Sequence, residues 1–110
     1  MTEQGKKYLS DILHAIELIE QFTESVADYQ SFLLDLKTQS AVERQLGIIG
    51  EAVNKFDQLF PESSIQNAKK IVGFRNRLIH AYDSVDTSII WTIIKRYLEP
   101  LKEEINMKII

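Results

Sequence analysis

The fold class follows from residues 42–60, which read VERQLGIIGEAVNKFDQLF. Apolar residues recur here every three or four positions, which is the period of an α-helix with one buried face. The segment therefore predicts a long amphipathic helix. Its buried face comprises Val42, Leu46, Ile49, Val53, Phe56 and Phe60.

The same periodicity continues on both sides of this segment and predicts helices along nearly the whole chain. No strand-like alternation or internal repeat interrupts it, so we predict an all-α, up-and-down bundle of four main helices plus one short helix, in a single domain over 1–110. The predicted helices are 4–24, 28–36 (the short one), a third from Thr38 or Ser40 to Phe60, a fourth that reaches Tyr82, and 87–108.

Two prolines and a pair of serines set the predicted breaks. Pro61 ends the third helix, because the residue before a proline is driven out of helical geometry. Ser63 or Ser64 is then the expected cap of the fourth helix. Pro100 lies inside the fifth helix and should kink or divide it near Leu98.

Composition excludes several classes of protein. The chain has 110 residues, no cysteine and a net charge of −3. Without cysteine there is no disulfide framework, thiolate zinc site or cysteine nucleophile. No apolar run is long enough to cross a membrane, so we expect a soluble, cytoplasmic protein.

The charge is unevenly distributed. Residues 63–82 contain no Asp or Glu but carry Lys69, Lys70, Arg75 and Arg77. A local basic stretch on an acidic chain is a candidate contact for phosphate, and we assign Lys69, Lys70 and Arg77 to RNA-phosphate binding.

Arg75 breaks the apolar pattern of the fourth helix. Its apolar stripe is expected to be Ile65, Ala68, Val72, Ile79 and Tyr82, and Arg75 falls on that stripe. A guanidinium facing the core requires a carboxylate or a phosphate. Glu51 on the third helix is a possible internal partner, so a structural ion pair and a ligand-binding role both stay open.

The adjoining stripe of the same helix places Asn76 and His80 one turn apart, with Gly73 one turn before them. Arg75 could hold a scissile phosphate, and His80 could move a proton at the 2′-hydroxyl or the leaving 5′-oxygen. This set fits RNA cleavage without a metal, and no metal site or cofactor is predicted. A relay of two histidines would take its second from another copy of the chain.

The fifth helix is apolar on more than one face, because Ile89, Trp91 and Ile93 lie beside its main stripe. Such a helix needs a second surface to pack against. We therefore predict a homodimer.

Residues 75–82, which read RNRLIHAY, resemble the motif of HepT-like toxins in the HEPN superfamily, an Arg, four residues, a His, one residue and a Tyr. The similarity extends along the chain through 37–39, 41–44, 48–52, 85–86 and 90–91. It implies an HEPN-like dimeric bundle that cleaves RNA without metal, with Arg75 and His80 as the active pair and Asn76 supporting them.

The resemblance also implies control by a partner. Toxins of this kind form type VII pairs with a minimal nucleotidyltransferase antitoxin, which uses ATP to AMPylate the motif tyrosine, here Tyr82. Two alternatives remain. One is a non-catalytic, substrate-binding partner subunit of a nucleotidyltransferase, and the other is a dimerisation module in which Arg75 only pairs with Glu51.

Overall fold

The computed structural model describes residues 1–80 and 86–110, with side chains at all of these positions except 79 and 80. These ranges contain helices and turns but no strand, which confirms the predicted all-α bundle. None of the helices in them is both long and apolar enough to span a membrane. The elements are α1 (Glu3–Thr23), α2 (Tyr29–Leu34), α3 (Leu36–Leu59), a 3-10 turn (Pro61–Ser63), α4 (Lys69–His80), α5 (Thr87–Thr92), a π-helical turn (Ile93–Tyr97) and α6 (Leu98–Ile109).

The core forms around α3, which packs along α1 on one side and α4 on the other, while α6 closes against α1. The predicted buried face of α3 is confirmed for all but its last member. Phe60 follows the helix and is only partly buried, with its ring 5.0 Å from that of Phe56. Burying a large apolar side chain contributes about 1.5–3 kcal/mol, so this face contributes substantially to the stability of the bundle. Its fully covered residues are Val42, Leu46, Ile49, Val53 and Phe56.

The third helix begins earlier than predicted, at Leu36 instead of Thr38 or Ser40. Asp35 is the reason, because its carboxylate accepts hydrogen bonds from the backbone N–H and the hydroxyl of Thr38 at 3.1 and 2.6 Å. Asp35 also follows the last residue of α2, so a single residue separates the two helices. Aspartate is among the residues most favoured at the N-cap of a helix.

The start of the fourth helix was predicted wrongly. The helix begins at Lys69, and neither Ser63 nor Ser64 caps it. Instead, the Glu104 carboxylate on α6 accepts hydrogen bonds from the backbone N–H groups of Gln66 and Asn67, both at 2.8 Å. Burial alone would raise the pKa of the Glu104 carboxyl, but these N–H donors and the Asn67 side chain hold it below its ordinary value.

The buried stripe of α4 also differs from the prediction. Ile71 and Phe74 are fully covered together with Ala68, whereas Val72 is only partly buried. Arg75 lies at the margin of this stripe, with 23% of its side chain exposed. The helix therefore presents an unbroken apolar strip to the core, with Arg75 along its edge.

Pro100 divides the last helix as predicted. The N–H of Leu98 bonds to the carbonyl of Ile93, five residues back, which makes 93–97 a π-helical turn. Proline has no N–H and its ring crowds the carbonyl four residues earlier, and the wider turn relieves that conflict.

Trp91 has partners within its own chain. Its ring centroid lies 5.2 Å from that of Phe32 and 6.1 Å from that of Tyr29, both on α2. Ile93 is also fully buried. The extra apolar face of the last helix, which motivated the homodimer, is thus used in large part inside the bundle. The homodimer itself stays a prediction.

Candidate active site

Arg75 lies where the backbone of α3 comes close to α4, at Gly50. A Cβ atom added to Gly50 would fall 2.8 Å from the Cβ and 3.0 Å from the Cγ of Arg75. Carbon atoms pack at about 3.5–4.0 Å, so only glycine fits at position 50. The aliphatic stem of Arg75 therefore lies directly against the backbone of α3.

The guanidinium of Arg75 is held by two neighbours. Nη2 donates to the carboxylate of Glu51, and Nη1 donates to Oδ1 of Asn76 at 3.3 Å. Oε1 of Glu51 also lies 3.4 Å from Nζ of Lys55. The internal partner considered from the sequence is confirmed. A guanidinium carries five N–H donors, so it can hold a carboxylate and a phosphate together.

Arg75 and Glu51 line a groove of about 740 Å³ between α1, α3 and α4, which we call the Arg75 groove. Charges of both signs meet in it, and some are paired, as in the 2.9 Å contact of Lys7 Nζ with Asp11 Oδ2. Burial raises the pKa of the Glu43 carboxyl. The remaining residues of its lining are Tyr8, Ser40, Arg44, Gly47, Ile48, Ala52, Lys55 and Leu78.

The three residues assigned to RNA phosphates do not surround Arg75. Lys69, Lys70 and Arg77 come together on a second groove of about 520 Å³, between α4 on one side and α5 with the π-helical turn on the other. We call this the α4–α5 groove. The predicted site is therefore divided into two surfaces on opposite flanks of α4.

The remaining predicted site residues lie at the end of α4. His80 is the last residue of the helix, one turn after Asn76, and its side chain is not among those described. Tyr82 lies outside the described residues. His14, the other histidine of the chain, is exposed on α1. In the ranges that the structure describes, no three His, Asp or Glu side chains are grouped as a metal site would require.

Comparison with known proteins places this geometry in a family. The model of the family described as ribonuclease HepT-like matches residues 12–107, which is most of the chain. The chain belongs to the HepT-like ribonuclease family. This confirms the family resemblance seen in the motif at 75–82.

Individual HepT-like relatives agree in length as well as sequence. The chain is 43% identical over 106 residues to a protein of Thermococcus cleftensis named probable ribonuclease HepT, with 93% of each chain covered. It is 36% identical to a protein of Methanocaldococcus jannaschii named as a candidate RNase, with 93% of this chain and 94% of the relative covered. No solved structure shows significant similarity to the chain.

Sequence reasoning missed one residue that shapes this HepT-like site. Gly50 was taken as part of an ordinary helix, although a glycine inside a helix costs about 1 kcal/mol relative to alanine. A glycine retained on a buried helical face is a sign of close backbone approach. That sign was present at Gly50, but the sequence could not identify Arg75 as the group that approaches it.

Proposed function

We propose that this chain is a metal-independent endoribonuclease, the toxin of a type VII toxin–antitoxin pair. The observation that carries the proposal is the half-buried Arg75 guanidinium, held between Glu51 and Asn76 at the edge of a groove, in a chain of the HepT-like ribonuclease family. A cation held this way is preorganised for the charge that develops on a phosphate during strand cleavage.

The residues divide the reaction between them. Arg75 binds the non-bridging oxygens of the scissile phosphate through N–H groups not used by Glu51. Asn76 positions the guanidinium by accepting from Nη1. The 2′-hydroxyl attacks phosphorus as its proton is removed, and the 5′-oxygen leaves with a proton. His80 is the residue that transfers a proton in one of these steps.

A second copy of the chain completes the site. At about 100° per residue, positions 75 and 80 lie about 140° apart around the axis of α4. A phosphate against Arg75 of one protomer would therefore meet His80 more readily from a partner whose α4 faces it. The predicted homodimer supplies that arrangement and also two histidines for the acid and base roles.

Tyr82 is the proposed point of control. It follows His80 by two residues in the sequence. A minimal nucleotidyltransferase antitoxin would transfer AMP from ATP to its hydroxyl in the cytoplasm, the predicted location of this chain. The added phosphate is anionic and would compete with RNA for Arg75.

The test compares Arg75→Ala and His80→Ala with the wild type, and uses His14→Ala as the matched control because it removes the chain's other histidine. We expect the wild type and His14→Ala to cleave RNA in the presence of a chelator and to arrest growth. The two site variants should do neither. Cleavage by Arg75→Ala at the wild-type rate, or cleavage that stops on chelation, would contradict the proposal.

The Arg75–Glu51 ion pair favours a second candidate function. Because Glu51 already meets the guanidinium, Arg75 could serve only to join α3 to α4 in a non-catalytic partner subunit of a nucleotidyltransferase. In that case the purified protein would leave RNA intact but co-purify with the transferase. Glu51→Gln would then lower thermal stability, and neither this variant nor the wild type would cleave RNA.

A further inference from the structure

The α4–α5 groove has one wall, from α4, whose charged residues are all cations, beside Gly73 and Phe74. Lys69, Lys70 and Arg77 line it from α4, and Gly73 lies between them. A Cβ added to Gly73 would meet nothing within 4 Å, so the space above the helix is open at this point. The lysines and the arginine form no ion pair with any other side chain in the described part of the protein.

This charge contrasts with the rest of the molecule. The Arg75 groove mixes its cations with three carboxylates, Asp11, Glu43 and Glu51. Among the residues described, none that lines the α4–α5 groove is acidic. The whole chain carries a net charge of −3. The three cations along this groove are therefore a local positive patch on an acidic protein.

The opposite wall suits a nucleotide chain. It carries Ser88 and Thr92 of α5 and Tyr97 of the π-helical turn, together with Ile89 and Ile93, so residues with hydroxyl groups and an aromatic ring line the groove beside apolar side chains. Tyr97 is partly exposed. Stacking of bases on aromatic rings beside a positive groove is how proteins bind single strands without sequence preference. π-helical turns also occur often at functional sites.

We propose that the α4–α5 groove is a second RNA subsite, which binds the strand several nucleotides away from the scissile phosphate. Lys70 and Arg77 contact backbone phosphates, and the Tyr97 ring receives a base. The subsite rests on the proposed ribonuclease function, because the RNA that it holds is the strand cleaved at Arg75.

The positions of the two grooves determine how long an RNA must be to contact both of them. They flank α4, and a helix with its side chains is about 10–12 Å across. A strand that reaches both must cross the exposed surface of α4, where Gly73 and Asn76 lie. A dinucleotide can occupy the Arg75 groove alone, whereas a longer RNA gains contacts in the α4–α5 groove.

The experiment measures binding of a single-stranded RNA of about twelve nucleotides, by fluorescence anisotropy between about 0.1 and 1 M salt. Removal of two phosphate contacts should reduce the slope of log K against log salt by about 1.4. The loss of affinity caused by Lys70→Ala/Arg77→Ala should therefore be about 25 times larger at 0.1 M salt than at 1 M salt. Lys6→Ala/Lys37→Ala removes two exposed cations from α1 and α3 and should leave the slope unchanged.

The aromatic wall is tested with Tyr97→Phe and Tyr97→Leu. The first keeps the ring and should bind the RNA as the wild type does, while the second should bind it at least about fivefold more weakly, which corresponds to the lower limit of a stacking contact of about 1–3 kcal/mol. Because Tyr97 also packs against the core, melting curves of both variants establish that they are folded at the assay temperature.

Cleavage of a dinucleotide separates the two proposals. Lys70→Ala/Arg77→Ala should lower the rate of cleavage of the longer RNA much more than the rate of cleavage of the dinucleotide. RNA binding by the wild type with an unchanged salt slope in this variant would overturn the second subsite alone. A protein that binds RNA through the groove but never cleaves it would overturn the ribonuclease function alone, and a protein that binds no RNA would overturn both.

Discussion

The close approach of Arg75 to α3 can be tested with one pair of substitutions in the same helix. Gly47 and Gly50 both lie within α3, three residues apart. A Cβ at Gly47 would meet nothing within 4 Å, whereas one at Gly50 would lie 2.8 Å from the Cβ of Arg75. Replacing each by alanine therefore makes the same change in helix propensity with opposite packing consequences.

The two variants should differ in stability only because of the steric clash between the new Cβ at position 50 and Arg75. Either substitution gains about 1 kcal/mol of helix propensity. At position 50, the helices must separate by roughly 0.7 Å to restore normal carbon contact. Overpacking of this kind costs about 1–3 kcal/mol. Gly50→Ala should thus be about 1–3 kcal/mol less stable than Gly47→Ala, a difference in Tm of about 4–12 °C for a chain of this size.

The assay is thermal unfolding followed by far-UV circular dichroism, together with RNA cleavage. A displacement of about 1 Å at a catalytic group can lower the rate about a hundredfold, so Gly50→Ala should cleave poorly while Gly47→Ala keeps wild-type activity. Arg75→Ala should not rescue the stability of Gly50→Ala, because the nearest atom is the Cβ that alanine retains. Equal stability and activity in the two glycine variants would refute the close contact.

Two further substitutions test contacts that hold α4 and α5 in place. Glu104→Gln should lower the free energy of unfolding by about 1–2 kcal/mol at neutral pH, and the control Glu103→Gln on the exposed side of α6 should not. The pKa of Glu104 in the folded protein lies below its ordinary value of 4.5. The carboxylate therefore stabilises the fold above pH 4.5, and this stabilisation is lost as the pH falls through the folded-state pKa. The difference in unfolding free energy between the wild type and Glu104→Gln should accordingly disappear in acid. Trp91→Ala should cost about 3 kcal/mol in urea unfolding, since it removes the ring packed on Phe32. A Trp91→Ala protein that keeps its stability but changes from dimer to monomer would show instead that this ring serves an interface between copies.

Periodicity was sufficient to predict the helices, because the spacing of apolar residues along each helix is regular and can be read from neighbouring residues. It failed where the determining contact came from a distant residue. The start of α4 depends on Glu104, which lies 37 and 38 residues beyond the two N–H groups it binds. No local pattern contains that information, and the serines at 63 and 64 were plausible only because nothing closer competed with them.

The candidate site was predicted only in part. The pairing of Arg75 with Glu51 was considered because a core-facing cation requires an anion, and the structure contains that pair. The sequence analysis did not predict that Arg75 lies on a different groove from Lys69, Lys70 and Arg77. A cluster of basic residues in the sequence does not show which side of a helix each side chain occupies. The wall that contains Tyr97 depends on the packing of the π-helical turn against α4, which only the folded chain provides.

The Glu104 contact also orders events during synthesis. Domains fold as the chain emerges from the ribosome, N-terminal parts first. The N–H groups of Gln66 and Asn67 have only water as an acceptor until residue 104 has been translated, although α1 and α3 are complete long before. The start of the helix that carries Arg75 therefore gains this contact only after residue 104 has been synthesised, later than α1 and α3.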